Sequence, residues 1–66
     1  MNIQINGEPK SVDEHLTAAQ LVDSLELTGK RLAMEVNQEI VPRSEYETYQ
    51  FQENDKIEIV HAIGGG

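Results

Sequence analysis

The sequence predicts an α+β fold: a mixed β-sheet with one main α-helix packed across it, followed by a flexible, glycine-rich C-terminal tail. Three observations carry that prediction. Alternating apolar residues stand near both ends of the chain, Ile3 and Ile5 at one and Ile57 and Ile59 at the other. Between them lies one clear run at helical spacing: Ala18, Leu21, Val22 and Leu25. At 66 residues the chain makes one domain at most, so the helix's apolar stripe has only a sheet to cover.

Each element has its own signal. In NIQINGEPKSV the pair Asn6-Gly7 falls between two extended runs, and both residues tolerate the positive φ that a type I′ hairpin turn requires. Pro9 lacks an amide hydrogen, which places the second strand at a sheet edge or after a break. Thr17 and Gln20 have capping-box spacing, with Leu16 and Leu21 positioned as a hydrophobic staple. The helix they start should run about two and a half turns and close near Gly29. RLAMEV alternates Leu32, Met34 and Val36, and after the polar break at Asn37 and Gln38 the EIV segment returns as a short strand before Pro42. Ser44 and Glu47 repeat the capping pattern, but with no long helical run behind them they predict a single turn. ENDK introduces the last strand, in which Ile57 and Ile59 face one way and Glu58 and Val60 the other. A hairpin, a crossing helix and a late strand returning to the middle resemble the β-grasp, the architecture of ubiquitin-like proteins. On that plan residues 1–62 form the domain and 63–66 the tail.

Composition narrows the functional classes. The absence of cysteine excludes a disulfide framework, a thiolate metal site and a catalytic thiol. Twelve acidic residues against five basic ones give a formal charge of -7, which repels nucleic acid and anionic membrane and favours basic protein partners, or simply keeps a small domain soluble. With no long apolar run and no basic leader in MNIQINGEPK, the sequence predicts a cytoplasmic protein.

No local constellation suggests catalysis. His15 and His61 are far apart in sequence with no ligand spacing around them, so no metal site is expected. Ser11, Ser24 and Ser44 lack a nucleophile context, and the acidic pairs Glu45 with Glu47 and Glu53 with Asp55 read as solvated turns. A chain this small leaves little room for a deep pocket, which favours a carrier or binding role over a self-sufficient enzyme.

What remains is the closing HAIGGG. Three successive glycines have a chance probability of roughly 3 in 10,000 from average usage; a frayed end or a cloning remnant are the plain alternatives. Without Cβ atoms, Gly64, Gly65 and Gly66 form a thread narrow enough for a tight slot. From Ala62 to Gly66 it reaches about 16 Å. The Gly66 carboxylate is an anion at neutral pH and a poor electrophile, so it needs activation before any nucleophile attacks it. Activation by ATP would give an acyl adenylate, and attack by sulfur would leave a thiocarboxylate or an acyl persulfide. With no cysteine in the chain, Gly66 is the only place for sulfur to be carried.

The segments NGEPKSV, VNQEIVPRSEY and DKIEIVHAIGGG, together with the length, are similar to the thiamine-pathway sulfur carrier (ThiS) family, and the likeness covers essentially the whole chain. The resemblance implies a carrier protein, not an enzyme, with no cofactor bound. Gly66 would be adenylated by an E1-like adenylyltransferase (ThiF-like) using ATP, carrying covalent AMP and then a thiocarboxylate. The sulfur would come ultimately from a cysteine desulfurase and pass to thiazole synthase (ThiG-like). Gly65 would be the obligatory neighbour and Gly64 part of the thread. Val60 and Ala62, with Ile63, would offer a small apolar docking patch, unless they are ordinary strand residues. The rival identities are the sulfur-carrying small subunit of molybdopterin synthase, a ubiquitin-like protein modifier joined through Gly66 to target lysines, and an interaction module with an idle tail.

Overall fold

The structure, a computed structural model, describes residues 1–61. Along this stretch the elements are β1 (Asn2–Ile5), β2 (Glu8–Ser11), α1 (Ala18–Ser24), β3 (Leu32–Val36), β4 (Glu39–Val41), a single 3-10 turn (Arg43–Glu45) and β5 (Lys56–His61). The five strands form one sheet in the order β2-β1-β5-β3-β4. β5 runs parallel to β1 and antiparallel to β3, while both hairpins are antiparallel, which makes the sheet mixed. Among the described residues no helix is long and apolar enough to cross a membrane.

The first hairpin turns as its sequence dictates: Asn6 and Gly7 both have positive φ, 51° and 84°, the type I′ geometry whose twist matches the flanking strands. Pro9 sits in β2 at the sheet edge, where its missing donor costs no ladder bond. The helix starts on a complete capping box, with the Gln20 amide donating to Thr17 Oγ1 at 3.2 Å and the Thr17 amide to Gln20 Oε1 at 3.0 Å. Its next free donors are taken by the loop before β5: the Ala18 amide reaches the Tyr49 carbonyl and the Ala19 amide that of Tyr46, each at 2.9 Å.

The helix ends earlier than its pattern suggests. Its last helical residue is Ser24, and Glu26, at φ 61°, takes the left-handed capping position; Gly29, at φ 82°, is also left-handed but lies in the turn after the helix has closed. The Leu27 amide donates to the Val22 carbonyl and the Glu26 amide to that of Asp23, the two bonds of a Schellman cap. Val22 is buried and Leu27 packs against the same core, so an apolar contact closes the helix in place of glycine's backbone freedom.

The inner face of the sheet and the helix bury Ile3, Leu21, Met34, Val36, Ile57 and Ile59. Each such side chain contributes about 1.5–3 kcal/mol of transfer free energy. Phe51 completes the floor and meets Tyr49 edge-on at 5.7 Å between ring centroids. Burial pushes the phenol of Tyr46 above its ordinary pKa, and that of Tyr49 too, helped there by the nearby carboxylates of Asp55, Glu39 and Glu45.

Candidate functional site

The strand that leads toward the glycines is the central strand of the sheet. β5 pairs with β3 from Val36 opposite Ile57 to Leu32 opposite His61, and with β1 at Lys56 and Ile57. β1 ends at Ile5, yet the ladder on that side continues through a side chain. Asn6 donates from Nδ2 to the Ile59 carbonyl at 3.1 Å and accepts the Ile59 amide on Oδ1 at 2.9 Å. Its own amide donates to the Ile57 carbonyl at 2.8 Å. A side-chain amide carries the same donor and acceptor pair as a peptide, so Asn6 extends the sheet by one rung at the end of β5 where His61 lies.

A second asparagine grips the other end of the strand. Asn37 donates its backbone amide to the Lys56 carbonyl at 2.8 Å and accepts the Lys56 amide on Oδ1 at 3.1 Å. Its Nδ2 donates to Asp55 Oδ1 at 3.0 Å, while the Gln52 amide supplies Asp55 Oδ2 at 2.8 Å. Asp55 is therefore not the solvated turn residue that its sequence context suggests: it is 8% exposed and ties the turn before β5 to the second hairpin. Glu53, its partner in that sequence pair, accepts the Asn2 amide at 2.9 Å.

Val60 faces outward as expected and is 71% exposed. On the same outward face it stands opposite Ala33, with the pair Glu58 and Glu35 next to it and Ile40 beyond, opposite Glu35 and 73% exposed. Ile40 carries no sequence signal beyond its place in a short alternating strand. His61 ends the described strand half-buried, with Nδ1 buried and lacking a hydrogen-bond partner among the described residues. It lines a groove of about 420 Å³ with Ile5, Leu25, Leu27 and Ile59. Among the described residues no three His, Cys, Asp or Glu side chains gather as metal ligands. Ala62, Ile63, Gly64, Gly65 and Gly66, and with them the boundary expected after residue 62, lie outside the described residues.

Comparison with known proteins gives this architecture a family. The ThiS family model matches residues 3–66. The chain is 35% identical over 65 residues to the sulfur carrier protein ThiS of Bacillus subtilis, covering 97% of this chain and 98% of that one. It is 39% identical over 66 residues to a thiazole synthase of Magnetococcus marinus, all of this chain but only 20% of that protein's length. The crystal structure of the thiamine biosynthesis protein ThiS from Geobacter metallireducens superposes with a TM-score of 0.81 at 29% identity, each chain covered in full. The central parallel strand, the single crossing helix and the family match along nearly the whole chain lead to one conclusion: this protein belongs to the ThiS family.

Proposed function

We propose that the protein is a sulfur carrier of thiamine biosynthesis, acting in the cytoplasm, and that its working group is the α-carboxylate of Gly66. An E1-like adenylyltransferase of the ThiF kind joins this carboxylate to the AMP portion of ATP and releases pyrophosphate. A sulfur nucleophile, derived ultimately through a cysteine desulfurase, attacks the acyl carbon. AMP leaves, and one carboxylate oxygen leaves with it; a persulfide nucleophile gives an acyl disulfide at Gly66, which a thiol cleaves to the thiocarboxylate while itself being oxidised to a disulfide. A thiazole synthase of the ThiG kind then takes up the sulfur.

The carrier contributes no catalytic group: it is a co-substrate whose body is recognised and whose end is modified. Gly65 and Gly64 keep the approach to Gly66 free of side chains, as a narrow slot in a partner would require. The family match running through to Gly66 is the observation that supports this role most directly. The stretch similar to this chain within a thiazole synthase of Magnetococcus marinus supports that partnership in particular.

Incubation with ATP, the cognate adenylyltransferase and a sulfur source should raise the intact mass by the exchange of one oxygen for sulfur, located at Gly66 by fragmentation. An unchanged mass with an enzyme active on another carrier overturns the proposal. Isopeptide conjugates to lysine instead of the thiocarboxylate would assign the chain to protein modification.

A further inference from the structure

The chain's few cations are not spread evenly over its acidic surface. Of the five basic residues, Lys30 and Arg31 adjoin in the loop before β3, and the fold brings Arg43 to them. The Arg43 guanidinium donates from Nη2 to the Lys30 carbonyl at 2.8 Å, across a separation of 13 residues. A carbonyl is a neutral acceptor and a guanidinium has five N–H donors, so Arg43 keeps its charge and most of its donors for another group. The turn that carries Lys30 is itself fixed: the Lys30 amide donates to the Leu27 carbonyl at 3.0 Å, and Gly29 takes φ 82° within it.

These cations stand at the edge of an apolar hollow. A groove of about 220 Å³ has Leu27, Leu32 and Tyr46 among its lining, with Lys30 and Arg43 exposed at its rim. Glu47 is the carboxylate in its wall among the described residues. Two cations against one carboxylate reverse, at this place, the sign of the chain's formal charge of -7.

The register places the groove beside the working end. Leu32 is the cross-strand partner of His61, the last described residue of β5. Leu32 alternates with the buried Met34 and Val36, so the groove lies on the helix side of the sheet, on the face opposite Val60.

An apolar floor with a cationic rim fits an acidic protein segment that carries an apolar side chain. The apolar group covers Leu27 and Leu32, while flanking carboxylates meet Lys30 and the free donors of Arg43, which can hold a carboxylate at two points. A small inorganic anion would leave the floor uncovered, and a basic segment would be repelled by the rim.

The proposed chemistry calls for a partner at this position. An acyl adenylate hydrolyses in water, so the sulfur has to arrive while the adenylyltransferase still shelters Gly66. The donor then needs its own surface near the tail, different enough in character that the two proteins do not compete.

We propose that the helix-side groove is the docking site of the sulfur donor, a persulfide-bearing protein that lays an acidic, apolar-anchored segment between Lys30 and Arg43. The assignment rests on the sulfur-carrier role proposed above. Docking here leaves the other face of the sheet uncovered, so the carrier can be held by one protein and approached by the second. The net charge does not select this partner, because it repels an acidic protein at a distance; the rim selects it at contact.

Lys30→Glu, Lys30→Gln and Lys30→Arg are compared with wild type in thermal melts and in direct binding, without ATP, to the cysteine desulfurase carrying its persulfide. Sulfur transfer to the preformed adenylate is measured with that donor plus a thiol, and separately with sodium sulfide, whose HS⁻ displaces AMP to give the thiocarboxylate directly. All four proteins should melt alike. Lys30→Glu should bind the donor about tenfold more weakly, Lys30→Gln should fall between it and wild type, and Lys30→Arg should bind as wild type does. In transfer, Lys30→Glu should raise the half-saturating donor concentration and leave the saturated rate, and the rate with sulfide, unchanged. Equal donor affinity for wild type and Lys30→Glu overturns the assignment, and so does an equal loss of transfer with sulfide. A matching loss of adenylation would give the groove to the adenylyltransferase, and a carrier dimer abolished by Lys30→Glu would give it to a second copy; either result overturns the assignment as well. Failure of wild type to be adenylated speaks against the carrier role alone, since donor binding is read separately.

Discussion

The two hairpin turns share one geometry but reach it by different means. Asn6-Gly7 and Asn37-Gln38 are two-residue turns with positive φ throughout, 51° and 84° in the first, 53° and 71° in the second. In both, the leading asparagine extends its side-chain amide to β5. The first turn ends on glycine, for which a positive φ carries no steric cost. The second ends on Gln38, for which it does. The first turn is therefore written in local chemistry. The second is held by what Asn37 grips: the backbone of Lys56 and the buried carboxylate of Asp55, 18 residues away. A tight turn can thus be fixed from outside by a tertiary contact.

Three substitutions would sharpen that contrast or break it. Asn37→Ala should do the most damage, because it leaves Asp55 buried with one fewer donor and removes the bond to Lys56; a loss of about 2–3 kcal/mol is expected in urea unfolding. Asn6→Gly keeps the backbone conformation and removes only the two side-chain bonds to Ile59, so about 1–2 kcal/mol should be lost and the Ile59 amide should exchange faster with solvent. If this variant proves costlier than Asn37→Ala, the second turn is not the one that depends on distant contacts. Gln38→Gly has the smallest expected effect and the opposite sign, a gain of about 0.5–1 kcal/mol as the left-handed strain is released. A lower unfolding midpoint for that variant would show that the Gln38 side chain contributes to the fold.

The contrast also marks how far the sequence could be read. The capping box of Thr17 and Gln20, the first hairpin, the edge position of Pro9 and the inward face of β5 were all legible, because each depends on neighbours within a few residues. The end of the helix was not. Gly29 is the more conspicuous stop, but the chain closes at Glu26, and what selects Glu26 is the Schellman bonding and the packing of Val22 and Leu27 on the core. Asp55 resembled a solvated turn residue because its partner Asn37 is remote in sequence. The opposition of Glu35 and Glu58 likewise needs the β3–β5 register, which alternation alone does not set. Of the candidate site residues, Val60 lay where its alternation placed it. The glycines drew attention by composition and resemblance, and their proposed chemistry rests on the family.

The central position of β5 has a mechanical consequence. A pull applied at His61 along the strand does not peel the sheet from an edge, because β5 is flanked by β1 and Asn6 on one side and by β3 on the other. Its hydrogen bonds to β3 run across the direction of the pull and are loaded together in shear, not broken one after another. Asn37 anchors the far end of the same strand. Traction applied at the end of β5 would therefore strain the whole ladder at once, and the domain is built to resist it.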